Sequence, residues 1–183
     1  MKKQHVLFSI GHSTHSIDEF VDLLRTYGVR QLIDVRSIPR SRHNPQFNKE
    51  DMALFLRNRK INYSHAKGLG GLRHAGKDSP NTGWRNASFR GFADYMLTDD
   101  FNIALNKLIL KAKKKPTVIM CAEAVPWRCH RSLIADALIG RDWEVRHILS
   151  KNSVYSHKVT PFAKRKGGKI IYVSQGTADS PDL

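Results

Sequence analysis

Short apolar runs alternate with amphipathic stretches along this chain, and the alternation predicts strands and helices in turn. His5–Ile10 reads as a short buried strand. Ser16-Ile17-Asp18-Glu19 follows as a capping box, in which serine and glutamate satisfy each other's free amides at a helix start. That helix is expected to run to Tyr27, with Ile17, Phe20, Val21 and Leu24 on one face and Gly28 suited to the left-handed residue that ends it. Val29–Val35 is the next strand, Asn48–Asn58 a helix carrying Met52, Phe55 and Leu56, and Ile61–His65 a third strand. Lys67–Ser88 is rich in Gly, Lys, Asn and Ser without periodicity, which predicts a long loop. Ser88 and Thr98 are placed to cap helices over Phe89–Leu97 and Asp99–Lys114. Thr117–Met120 forms a fourth strand, Leu133, Ile134, Ala137 and Leu138 mark a helix closed by Gly140, and Trp143–Leu149 is a fifth strand. Lys169–Val173 is expected to add an edge strand, and residues 174–183 a flexible tail.

Strands alternating with helices over short connections imply parallel pairing through right-handed crossovers. The expectation is an α/β fold: a single doubly wound domain over residues 5–173, its mainly parallel sheet flanked by helices. The 183 residues, 40% of them apolar, are enough for one packed core.

Charge changes this picture more than composition does. The formal net charge is +15, far beyond what solubility requires, which points to a polyanionic partner such as nucleic acid or a phosphorylated small molecule. Val6–Ile10 is too short for a signal peptide and no eighteen apolar residues occur together, so a cytoplasmic protein with no membrane partner is expected. Two cysteines do not make a disulfide framework, and a reducing compartment leaves them as thiols for chemistry or metal binding.

In open parallel sheets ligands bind beyond the carboxyl ends of the strands. His12 follows the first strand, Asp34 and Arg36 end or follow the second, Tyr63 and His65 lie on the third, Cys121 and Glu123 follow the fourth, and His147 lies near the end of the fifth. Five consecutive strands thus bring a reactive side chain to one edge. Cys121 stands where a strand gives way to a loop feeding a helix, a geometry that lowers a thiol pKa. It is the candidate nucleophile. Glu123 is the alternative reactive group, as a base, with Cys121 packed beneath it. Arg128 and Arg131 are suited to a phosphate or carboxylate, and His12 and His130 to proton transfer.

Zinc is a second reading, since Cys121, Glu123, Cys129 and His130 include three kinds of ligand and His12 or His147 could complete a tetrahedron. Adjacent Cys129 and His130 are expected to diverge as neighbours on a helix, which counts against a shared ion. In the other dense stretch, Asp34 to Phe47, Arg36, Arg40 and Arg42 surround Ser37 and Ser41 in a proline-broken loop suited to an anion, and Asp34 is placed to fix Arg36 by an ion pair. Gly68–Gly71 permits close backbone approach. Basic runs at Arg57–Lys60, Lys111–Lys115 and Lys164–Lys169 could track a phosphate backbone, and Trp84 and Phe89 could stack bases.

With SIGHST, LIDVRSIPRSR, FN, INYSHAKGLGG, CAEAVPWRCHRS and VRHI in that order, the chain resembles the domain of unknown function 488 family over roughly residues 5 to 150. The resemblance implies an α/β sandwich whose signature residues match His12, Asp34, Arg36, Ser41, Arg42, Tyr63, Gly70, Gly71, Cys121, Glu123, Cys129, His130, Arg131 and His147. It implies an association with nucleic acids or nucleotides and no particular reaction. A fainter, fold-level likeness is to rhodanese-type sulfurtransferases, which pair an Asp-Val-Arg strand end with a strand-cysteine-loop-arginine-helix segment.

The reading that joins these strands of argument is an enzyme acting on a phosphate-bearing substrate. Cys121, Glu123, His12 and His130 would react. Arg36, Ser41, Arg42, Tyr63, Gly70, Gly71, Arg128 and Arg131 would bind substrate or anion, and Asp34, Cys129 and His147 would orient the site. A non-catalytic nucleic-acid-binding module and a zinc protein using Cys121, Glu123 and histidines are the alternatives. The sequence names no cofactor, and it gives no oligomeric state.

Overall fold

The computed structural model describes residues 5–174. Its main sheet has six strands in the order β3-β2-β4-β1-β5-β6. These are β1 (His5–Gly11), β2 (Gln31–Asp34), β3 (Asn62–His65), β4 (Thr117–Cys121), β5 (Trp143–Ser150) and β6 (Ser153–Ser156). The first five pair in parallel, and β6 returns antiparallel against β5. Five helices flank the sheet: α1 (Ile17–Thr26), α2 (Lys49–Asn58), α3 (Ala87–Tyr95), α4 (Asp99–Ala112) and α5 (Arg131–Ile139).

Direction of winding decides which face each helix covers. The chain moves outward from β1 to β2 to β3 through α1 and α2, then back to β4 and β5 through α3, α4 and α5. Because crossovers keep one hand, reversing direction moves the helices to the opposite face. Two apolar layers result. Phe20, Val21 and Leu24 of α1 and Met52 and Leu56 of α2 pack with Leu32, Val118 and Met120 on one side. Phe92, Phe101, Leu105, Leu133 and Ile134 pack with Leu7, Ile33 and Ile119 on the other. This is the doubly wound α/β plan, with a core on both faces.

Local signals act as expected at most helix ends. Ser16 and Glu19 form the capping box, Gly28 takes φ +65°, and the Thr98 side chain accepts from the Phe101 amide. At α3 the cap is Asn86 rather than Ser88: its carboxamide oxygen accepts from Ser88 and Phe89, so the helix starts two residues earlier than the sequence suggests. The expected edge strand at Lys169–Val173 is corrected as well. Lys169–Tyr172 (β8) pairs with Ala163–Lys166 (β7) as a separate antiparallel hairpin, and the edge beside β5 belongs to β6. Of the expected tail, Ser174 donates its amide to Thr82 Oγ1, and 175–183 lie outside the described residues. Among the described residues, no helix is long and apolar enough to cross a membrane.

Register places the site. Gly11 pairs with Cys121, and Asp34 with both Met120 and His65, so β1, β2, β3 and β4 finish nearly level at one edge.

Candidate active site

A cavity of about 370 Å³ opens at that edge, with His12, Arg36, Ser37, Ser41, Cys121, Glu123, Arg128, Cys129 and His130 on its wall. Loops after β1, β2 and β4 meet there because their strands end level. The His12 and Ser13 amides donate to the carbonyls of Cys121 and Ala122, which ties the first loop to the fourth.

Arg36 is the best-held side chain in the pocket. Its Nε and Nη2 donate to the Asp34 carboxylate, the latter at 2.6 Å, and Nη2 also donates to the Phe47 carbonyl. Tyr63 adds its hydroxyl to Asp34 at 2.8 Å. Nη1 lies 3.3 Å from His12 Nε2, whose ring stacks on Phe47. His12 Nδ1 faces the Ser13 carbonyl at 2.9 Å and must donate to it, so Nε2 is the acceptor for Arg36. Burial above all lowers the His12 pKa to about 4, and the nearby Arg36 works in the same direction, so the ring is neutral at pH 7. For Arg36 burial pulls the pKa down, but the hydrogen bonds and charge of Asp34 outweigh it. A guanidinium has five N–H groups, and four are engaged among the described residues. One Nη1–H is left on a residue that lines the cavity.

Beneath the opposite wall the two cysteines and His130 converge. Cys121 Sγ, Cys129 Sγ and a ring nitrogen of His130 all lie within 4.8 Å of one another. The expected divergence of Cys129 and His130 is therefore corrected. Cys129 is extended, at φ −136° and ψ 144°, and α5 begins only after His130, so helical spacing does not apply. His130 Nε2 donates to the Val35 carbonyl at 3.0 Å, and its Nδ1 lies 3.6 Å from Cys129 Sγ. Gly71 fixes the ring from the other side, since a Cβ there would sit 2.6 Å from Nδ1. Gly70 is packed as closely against Ser37. These two glycines seat their loop on the site residues, with Gly71 on the cavity wall.

Arg131 does not line the cavity. It is buried, with Nε 3.4 Å from Cys129 Sγ, Nη1 donating to Ser9 Oγ, and Nη2 to the Glu123 carbonyl. The side chain it faces is the Cys129 sulfur. The hydrogen bond with Cys121 lowers the Cys129 pKa well below the usual thiol range, and His130 and Arg131 assist against the opposing effect of burial. The same contact, with burial, raises Cys121. Both directions, together with the Arg131 Nε contact at the Cys129 sulfur, favour negative charge on Cys129 over Cys121. Three soft donors also suit a metal ion, but a guanidinium in contact with one of them opposes a cation, and Glu123, the expected further ligand, is exposed and outside the trio.

The other expected residues divide between the cavity wall and positions away from it. Arg42 is exposed and absent from the wall, and Tyr63 acts on Asp34 from behind. Ser41 lines the cavity with its hydroxyl accepting from the Asn44 amide, while His65 holds the Arg36 carbonyl. Glu123 and Arg128 face the cavity exposed. His147 is buried outside it, 3.0 Å from His157, which in turn meets Asp136. Phe89 lines the cavity, whereas Trp84 is packed among Phe89, Phe162 and Tyr172. None of the three basic runs lines it. Sequence reasoning missed Ser9, a plain strand residue until the Arg131 contact is seen, and the apolar wall residues Ile38 and Leu72.

The family model described as Domain of unknown function DUF488 matches residues 16–138, which takes in every residue of the cavity wall except His12. No curated protein and no solved structure matches the chain.

Proposed function

Because the chain belongs to the domain of unknown function 488 family, whose description assigns no reaction, we propose its function from the pocket itself. It is an enzyme that attacks a phosphate-bearing substrate, nucleic acid or nucleotide, through the Cys129 thiolate. The observation that carries this is the Arg131 Nε contact with Cys129 Sγ, beside a His130 ring whose other nitrogen is engaged by Val35. Cys129 takes the role the sequence assigned to Cys121, and Cys121 becomes the thiol that donates to it. The start of α5 one residue beyond His130 adds its dipole to the stabilisation of the sulfur anion.

The rest of the wall fits such a substrate. Arg40, Arg128 and the remaining Arg36 N–H supply positive charge, and Ser37 and Ser41 supply hydroxyls. Attack on phosphorus would form an S–P bond and break a P–O ester bond, with the departing oxygen taking a proton from a cavity water. Water then cleaves the S–P bond and restores the thiolate. A reducing compartment, the cytoplasm, keeps both thiols free for this cycle.

The test is turnover of a panel of oligonucleotides and nucleoside phosphates by the wild type, Cys129→Ser and Cys121→Ser. Cys129→Ser is expected to lose activity on the order of a thousandfold, and Cys121→Ser much less. Equal activity of all three variants sinks the reading. Tight, salt-sensitive nucleic-acid binding with no turnover by any of them would instead support the non-catalytic module suggested by the +15 charge.

A further inference from the structure

Large apolar side chains stand exposed around the cavity mouth. Ile38 and Leu72 lie on its wall at 64% and 71% exposure, and Trp127 is 62% exposed between buried Pro126 and wall residue Arg128. The turn that presents this indole is rigid. Pro126–Arg128 is a single 3₁₀ turn, closed by the Arg128 amide donating to Val125 and the Cys129 amide to Pro126. Trp127 is therefore held two residues from Cys129 and is largely open to solvent. An exposed cluster of this kind marks a binding surface.

We propose that the substrate is a single-stranded nucleic acid, with one nucleotide entering the cavity and a neighbouring base stacked on Trp127. The inference rests on the phosphate-binding reading of the pocket and not on the bond that is broken there.

Three observations choose this occupant. The mouth interleaves flat or apolar side chains with the guanidinium groups of Arg40 and Arg128, and a strand alternates bases with phosphates in the same way. A cavity of about 370 Å³ takes one drug-sized group, so a free nucleotide would fill it and leave Trp127 bare. Cys129 is 4% exposed at the cavity floor, out of reach of a nucleotide still paired and stacked in a duplex. Charge weighs against a protein partner: among the described wall residues Glu123 is the one acidic side chain, and the chain carries +15 overall.

The experiment measures binding alone, by fluorescence anisotropy of a labelled unstructured oligonucleotide in its single-stranded and duplex forms. A nucleoside monophosphate serves as competitor. Wild type, Cys129→Ser, Trp127→Ala and Trp127→Phe are compared. The single strand should bind at least about tenfold more tightly than either the duplex or the monophosphate, and Trp127→Ala should lose about tenfold while Trp127→Phe keeps most of the affinity. Cys129→Ser serves as the form in which binding is read without cleavage. Equal affinity for duplex, equal affinity for monophosphate, an unaltered Trp127→Ala, or a lack of oligonucleotide binding overturns the proposal. If the single strand binds as stated while no phosphate ester is turned over, the chemistry proposed for Cys129 fails and the substrate assignment stands.

Discussion

Asp34 and Asp136 are both fully buried carboxylates that accept a hydrogen bond from a tyrosine hydroxyl, yet one serves a cavity and the other does not. Around Asp34 the donors stop short of closure, because Arg36 retains an N–H on the pocket wall. Around Asp136 both carboxylate oxygens are filled, and among the described residues the one spare polar atom of the cluster, His147 Nδ1, is buried away from the cavity. His157 Nε2, the amide and hydroxyl of Thr160, and the Tyr172 hydroxyl all donate to the carboxylate, and His147 stands behind His157 at 3.0 Å. The second cluster fastens the 157–172 segment to α5. Buried polarity is thus no mark of a site by itself; the mark is bonding capacity left over and aimed at an opening.

Acid is the harshest way to probe the two clusters, because each contains a neutral histidine. Burial lowers the His12 pKa to about 4 and that of His147 to about 3. The unfolded chain takes up those protons first, near the ordinary value of about 6.5, so stability should fall as pH drops below it and level off only near those lower values. The loss is about 3 kcal/mol from His12 and about 5 kcal/mol from His147, as an order of magnitude. Urea unfolding as a function of pH measures it, and His147→Gln should lower the slope between pH 6.5 and 4.

A smaller loss, about 3 kcal/mol, is expected of Asp136→Ala, which strands the donors of His157, Thr160 and Tyr172, and Asp136→Asn should cost less because one acceptor oxygen survives. Neither variant should change the alkylation rate of Cys129 in the folded protein. A marked slowing would mean that the two clusters are not separate.

Alkylation also ranks the cysteines. A small electrophile at neutral pH should modify Cys129 about tenfold faster than Cys121, and Gly71→Ala, by pushing the His130 ring away, should narrow the difference. Peptide mapping by mass spectrometry reads both rates. The mildest variant is Tyr63→Phe, expected to cost about 1 kcal/mol in thermal unfolding, since Asp34 keeps its bonds to Arg36.

Much of the fold was legible because its signals are local. The capping box at Ser16, the cap at Thr98 and the apolar runs of β1, β2 and β4 each depend on residues close in sequence. β6 was not legible: all four of its residues are exposed, which leaves no alternation to detect. Lys169–Tyr172 reads as a strand whichever partner it takes, and only tertiary packing assigns it to β7. In the site, the meeting of His12, Arg36, Cys121 and Glu123 followed from the rule that ligands gather beyond parallel strand ends. His147 failed that rule through register. It pairs with Ser9, three residues short of His12, and so lies below the edge. Which cysteine carries the charge was also out of reach, because it depends on contacts made through space, first between the two sulfurs and then from His130 and from Arg131, whose side chain also reaches Ser9 from the far end of the chain.

The acceptor that sets the His130 tautomer is the main-chain oxygen of Val35. No substitution at position 35 can delete a carbonyl, so the imidazole's orientation is inherited from the path of the backbone and not from any letter of the sequence. Relatives could carry another apolar side chain in that core position and keep the same proton on the same nitrogen, and a column-by-column comparison would pass over the contact.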